Sequence, residues 1–110
     1  MITRLLANIA VADTAHAETW YRRLLERAPD TRPMPGLAEW HLTDTFGIQI
    51  WEDPDRAGYS TVVVEENDLD AAALRLTDAG INHGQPQPGG GARILQLADP
   101  DGNTIVFTGA

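Results

Sequence analysis

The chain spells one hairpin twice. "LTDTFGIQIW" at residues 42–51 and "LADPDGNTIVF" at residues 97–107 share a Leu-x-Asp opening, Leu42 to Asp44 and Leu97 to Asp99. Beyond each turn, Ile48 and Ile50 align with Ile105 and Phe107, and earlier in each copy Leu6 aligns with Thr61. A duplication of about 50 residues in two copies is too short for a solenoid. Half a domain of that size cannot bury a full sheet face alone, so the two copies must share one surface.

Each copy has the order strand, helix, strand, hairpin. "RLLANIAVA", residues 4–12, alternates as a half-buried strand does. Asp13 is placed to cap a helix over 14–28, with Ala17, Trp20, Leu24 and Ala28 at helical spacing. Pro29, Pro33, Pro35 and Gly36 predict a loop, followed by strands at 38–43 and 47–52 and a second loop at 53–58. The cycle restarts with a strand at 59–66. Asp68 caps a second helix whose Leu69, Ala73 and Leu76 face inward, and Gly80 stops it. "INHGQP" predicts a short strand, "PQPGGG" a flexible link, and 92–109 the second hairpin. Asp99, Pro100, Asp101 and Gly102 serve its turn.

Charge narrows the function classes. The formal net charge is −8 with a pI near 4.6, which repels phosphate backbones and argues against nucleic-acid binding. Arg22, Arg23 and Arg27 form the one basic patch, read as a solvated helix face. The absence of cysteine excludes disulfides, thiolate metal sites and cysteine nucleophiles. No apolar run approaches the roughly 20 residues of a membrane span. "MITRLLANIAVAD" is interrupted by Asn8 and Asp13 and lacks a signal-peptide core, so a cytoplasmic protein is expected.

A capped helix ending in "DAGI", followed by "LADPDGNTIVF", resembles the vicinal oxygen chelate superfamily of glyoxalases, extradiol dioxygenases and bleomycin-binding proteins. The resemblance covers nearly the whole chain. It implies an α+β fold of two βαβββ modules, about 1–56 and 57–110, within one domain over 1–110. Their mixed sheet curls into a cleft, with helices on the outer face and a homodimer completing the assembly. Metal-dependent members place ligands on the first and last strand of each module. Those positions fall on Leu6, Gln49, Thr61 and Val106, and His and Glu are absent from all four. A divalent cation needs carboxylate or imidazole lone pairs. No metal and no cofactor are therefore expected.

Strand alternation assigns the cleft face. With Leu5, Ala7 and Ile9 toward the helices, Leu6, Asn8 and Ala10 face the cleft. Pairing Leu42 with Ile48 sets His41 opposite Gln49 and Glu39 opposite Trp51. In the second module the cleft set is Thr61, Val63, Ile94, Gln96, Thr104 and Val106, with Gln96 opposite Val106. This mixture of amides, one carboxylate, one imidazole and apolar groups suits a small-molecule pocket. The candidate ligand-binding residues are Asn8, Glu39, His41, Gln49, Trp51, Thr61, Gln96 and Val106. Trp51 is placed either to stack on a planar ligand or to fill a dimer seam, Trp20 and Trp40 read as core, and Phe46 and Tyr59 sit where either can rim the cleft. Glu39 and His41, two apart on one strand face, read as a hydrogen-bonded pair, with a general acid/base pair or a displaced metal site as alternatives. His16 and His83 read as surface, and "GGG" at 89–91 is not a phosphate loop.

The expected function is metal-independent binding of a small molecule, an antibiotic or a metabolite. The alternatives are a lyase- or isomerase-type enzyme using His41 and Glu39 or a displaced metal site, and a structural or regulatory dimer without ligand.

Overall fold

In the computed structural model, which describes residues 1–110, the duplication is visible as two sheets of identical topology. β1 (Leu5–Val11), β2 (Thr31–Met34), β3 (Leu37–His41) and β4 (Phe46–Glu52) form a sheet in the order β1-β4-β3-β2. β5 (Thr61–Glu66), β6 (Gln87–Gly89), β7 (Ala92–Ala98) and β8 (Thr104–Gly109) repeat it as β5-β8-β7-β6. In each sheet the first strand pairs parallel with the last, and the remaining pairs are antiparallel. The architecture is the α+β arrangement that the resemblance implied.

Local chemistry explains the helices. Asp13 and Asp68 take extended backbone, and their carboxylates accept the N–H of His16 and Ala71 at 2.9 and 3.0 Å. These caps open α1 (Thr14–Leu25) and α2 (Leu69–Asp78). Gly80, at φ +73°, turns the chain out of α2, and Ile81 N–H bonds back to Leu76 O. Arg75 Nη1 donates to Leu24 O, and Arg23 Nη1 to Ala79 O, so the helices lie side by side on one face. Beneath them one cluster of 19 buried residues draws on both halves, including Ile9, Tyr21, Trp40 and Ile50 with Leu69, Leu76, Leu95 and Phe107. The opposite face carries exposed Asn8, Thr61, Val63 and Gln96.

Four local expectations are corrected. First, α1 stops at Leu25 rather than residue 28, with Glu26 left-handed, because Trp40 Nε1 donates to Arg27 O and draws the chain toward the sheet. The inward residue sequence reading omitted from α1 is Tyr21, and in α2 Ala72 is more deeply buried than Ala73. Second, the predicted loop over 29–36 contains β2, an edge strand with an irregular register, where Pro33 has no inner N–H to supply. Third, residues 81–86 form no strand. Its place is taken by β6 within the stretch read as a link, because Gln87, Pro88 and Gly89 add to the edge of β7, and β5 begins at Thr61 rather than residue 59. Fourth, the first hairpin is shifted by two residues. Thr43 N–H bonds to Phe46 O while Thr43 Oγ1 accepts from Thr45 and Phe46 N–H, and this closure pairs Glu39 with Gln49, His41 with Gly47 and Leu37 with Trp51. A shift of two preserves which face each residue occupies.

The second hairpin's turn reaches far beyond itself. Asp99 and Asn103 are the two buried polar residues. Asp99 Oδ1 accepts from Asp101 and Asn103 N–H, while Asp99 Oδ2 accepts from Tyr21 Oη at 2.7 Å and Asn103 Nδ2 at 2.8 Å. Asn103 Nδ2 also donates to Ala10 O at 2.8 Å, and its Oδ1 accepts from Gly58 and Ser60 N–H. One turn thus ties β1, α1 and the inter-module linker together. Burial, followed by the charge of Asp99, pushes the Tyr21 phenol far above its ordinary value. Above about pH 10 the unfolded chain releases this proton while the folded chain keeps it, so stability falls as pH rises. Urea unfolding from pH 8 to 11 is expected to show a steeper loss for the native sequence than for Tyr21→Phe. Parallel slopes would show that Tyr21 does not carry the effect.

Candidate functional site

Register builds a polar line across three strands of the open face. β1 pairs with β4 at Asn8 and Gln49, and β3 pairs with β4 at Glu39 and Gln49, so the three side chains stand abreast. Asn8 Nδ2 donates to Gln49 Oε1 at 2.7 Å, and Gln49 Nε2 donates to Glu39 Oε2 at 2.6 Å. His41 Nε2 lies 3.0 Å from the other oxygen, Glu39 Oε1. The Glu39 side chain is 13% exposed and that of His41 30%. His41 stands opposite Gly47, where the Leu6 side chain of the neighbouring β1 fills the space a side chain would take. A Cβ at Gly47 would clash with Trp40 O and with the Leu6 side chain, so that position admits no substituent. The His41 backbone N–H also bonds Asp30 Oδ2 at 2.7 Å. This bond first, then the Arg27 guanidinium, holds the Asp30 carboxyl below its usual range.

Beside Asn8 the face dips into a cavity of about 200 Å³, lined by Asn8, Ala10, Trp51, Asp53, Arg56, Tyr59 and Ser60. Trp51 reaches it from β4, where Ala10 is its neighbour on β1. Asp53 to Ser60 belong to the linker between the two halves. Ser60 Oγ accepts Ala10 N–H at 3.2 Å, and Asn103 holds Gly58 and Ser60 in place from below. A wider groove of about 810 Å³ lies along the start of α1 and the β2–β3 turn and shares no residue with this line.

Of the residues singled out from sequence, Asn8, Glu39, His41 and Gln49 form one hydrogen-bonded unit, and Trp51 joins Asn8 in the cavity wall. Thr61, Gln96 and Val106 occupy the same face of the second sheet, with Gln96 opposite Val106, but they make no hydrogen bond to the line and lie outside the cavity. The cavity residues sequence reasoning missed are Asp53, Arg56 and Ser60. Their only local signal is the loop "DPDRAG" leading to Tyr59, a residue already placed at the rim. Trp20 and Trp40 are buried, His16 is exposed and His83 half-buried against Thr77 and Gly84. Phe46 lies at the end of the turn, half exposed. No three His, Asp or Glu side chains gather into a metal-binding group, and no helix is long and apolar enough to cross a membrane.

The family model described as the Glyoxalase/Bleomycin resistance protein/Dioxygenase superfamily matches residues 24–107. Among solved structures, a glyoxalase/bleomycin resistance protein from Catenulispora acidiphila is 31% identical, with a TM-score of 0.87 and 97% of each chain covered. A bleomycin-binding protein complexed with bleomycin is 18% identical, with a TM-score of 0.82 over 97% of this chain and 98% of the other. An antibiotic binding protein from Streptomyces is 20% identical, with a TM-score of 0.80 over 96% and 93%. A search of curated proteins gives no match.

Proposed function

Because the chain belongs to the glyoxalase/bleomycin resistance protein/dioxygenase superfamily, we propose that it is a metal-independent binding protein that sequesters a small, partly planar molecule on its open sheet face. The carrying observation is the line Asn8–Gln49–Glu39–His41 running to the edge of a cavity walled by Trp51 and Tyr59. Aromatic walls with a few placed polar groups are what a small-molecule site requires. Structural neighbours that bind bleomycin or another antibiotic support the reading. Metal independence is supported by the donor chemistry, since Leu6, Thr61 and Val106 supply no carboxylate or imidazole and Gln49 is engaged by Asn8 and Glu39. The same reading takes residues 1–110 as one domain of two modules that works in the cytoplasm. It also includes a homodimer, and it takes Thr61, Gln96 and Val106 on the second sheet as further ligand-binding positions of the open face.

Thermal-shift measurement against a panel of antibiotics, with bleomycin included, tests it. A ligand at about 100 times its dissociation constant is expected to stabilise the fold by about 2.7 kcal/mol, with or without EDTA. Trp51→Ala is expected to keep the fold and weaken binding by about 1–3 kcal/mol, the scale of stacking a planar group on an aromatic side chain. A shift that needs added metal, or one that Trp51→Ala leaves untouched, overturns the proposal.

The 3.0 Å contact between His41 and Glu39 favours a second reading, general acid/base catalysis on the same face. Conversion of a bound compound by the native protein, lost in His41→Ala, distinguishes catalysis from binding.

A further inference from the structure

We propose that the cavity beside Asn8 takes a zwitterion, a small aromatic molecule whose head carries both an ammonium and a carboxylate. The inference rests on the binding role proposed above and adds the ligand's chemical class. The chain has eight cationic side chains, all arginine, against sixteen acids. Six of the eight lie against an acid or donate to a backbone carbonyl. Of the two left, Arg4 precedes β1, and Arg56 lines the cavity. Asp53, three residues before Arg56, lines the same cavity. None of the chain's ion pairs includes either of them. The spacing does not forbid a bridge, since Arg27 and Asp30 are also three apart and meet at 2.7 Å.

The loop that carries the two charges is built rather than slack. Asp53 N–H bonds Val11 O at 2.9 Å, and Arg56 and Ala57 N–H bond Asp53 O at 3.1 and 3.0 Å. Asn103 holds Gly58 and Ser60 at the far end. The neutral groups of the wall offer both polarities as well. Ser60 Oγ accepts Ala10 N–H and keeps its own proton to donate. Asn8 spends one N–H on Gln49 and keeps a second N–H and its carbonyl oxygen. Asp53 and Asn8 Oδ1 thus suit an ammonium, and Arg56 and the Ser60 hydroxyl suit a carboxylate. A ligand of one sign pairs with one of the two charges and is repelled by the other. A zwitterion pairs with both and brings no net charge to a chain of −8. Trp51, in the same wall, takes the ring.

Three probes that share one ring test the inference: phenylalanine, phenethylamine, which lacks the carboxylate, and 3-phenylpropionate, which lacks the ammonium. Ligand-observed NMR titration of the full chain at pH 7 is run at about 0.3 M salt, where the long-range field of the surface charges is screened. Phenylalanine is expected to show a dissociation constant about tenfold lower than either relative, the scale of one charge-assisted hydrogen bond. Arg56→Gln is expected to bring phenylalanine within about twofold of phenethylamine while it keeps its lead over 3-phenylpropionate. Asp53→Asn is expected to do the reverse. Equal or tighter binding of either single-charge probe overturns the zwitterion and leaves the binding role intact. A tenfold lead that survives both substitutions also overturns it, because the head is then read elsewhere. If none of the three binds at about 10 mM, the zwitterion falls, and an antibiotic that still stabilises the fold keeps the binding role.

Discussion

Asn103→Ala is expected to lower unfolding stability by about 3–5 kcal/mol, a large part of the 5–15 kcal/mol typical of a domain this size. Asn103 is fully buried, and its side chain serves four partners: Ala10 O, Asp99 Oδ2, and the N–H groups of Gly58 and Ser60. Alanine would strand two part-buried backbone donors and one buried carbonyl. Each stranded group costs about 1–3 kcal/mol, with less than full additivity because the linker can relax toward solvent. Urea unfolding checks this through the midpoint at unchanged slope. Asn103→Asp sharpens the test. It keeps the shape but places a second carboxylate against Asp99 Oδ2, where the present contact is 2.8 Å. Its destabilisation is expected to be severe at pH 7 and to ease as acid protonates one of the pair. A loss below 1 kcal/mol for Asn103→Ala would show that the linker is held by other contacts.

The second large effect is expected at Trp40. Trp40→Ala should cost about 3–5 kcal/mol, the range for emptying a fully buried aromatic site. Trp40 packs against Tyr21, with ring centroids 6.1 Å apart, and Tyr21 in turn meets Trp20 edge-on at 4.8 Å. Its indole N–H holds Arg27 O at 2.9 Å, the contact beyond the end of α1. Loss of the ring therefore opens a cavity and frees the chain between α1 and β2. Trp40→Phe separates the two parts, retaining most of the volume while removing the N–H, at an expected cost of about 1–2 kcal/mol. Chemical denaturation measures both. Equal losses for the two variants would assign the whole effect to the hydrogen bond rather than to packing.

Much of the candidate site was legible because side-chain alternation survives errors of register. Asn8, Glu39, His41, Gln49 and Trp51 were placed on one face from period two alone, and the structure has them there. Their mutual contacts were not legible. The predicted register put Glu39 opposite Trp51, whereas the turn closed by Thr43 puts it opposite Gln49, and only that pairing connects Asn8 to His41. The cavity also escaped sequence reading, since four of its seven lining residues come from a linker that carries no periodic signal.

Legible from the chain alone were the duplication, the first strand, helix and closing hairpin of each copy, the caps at Asp13, Asp68 and Gly80, and the inward and outward faces of those strands, but not the edge strands β2 and β6. All of these rest on interactions within a few residues or on a repeating pattern. Tertiary structure alone decided that Asp99 and Asn103 belong to the core as well as to a turn. Their outside partners Tyr21 and Ala10 lie 78 and 93 positions away in the chain. It alone also decided that Gln49, not Trp51, faces Glu39. A turn motif reads the same whether its carboxylate meets water or a buried phenol, and a strand keeps its face under any even shift of register. Those two choices were left to the packing of α1 over the sheet and to the closure of one four-residue turn, Thr43 to Phe46.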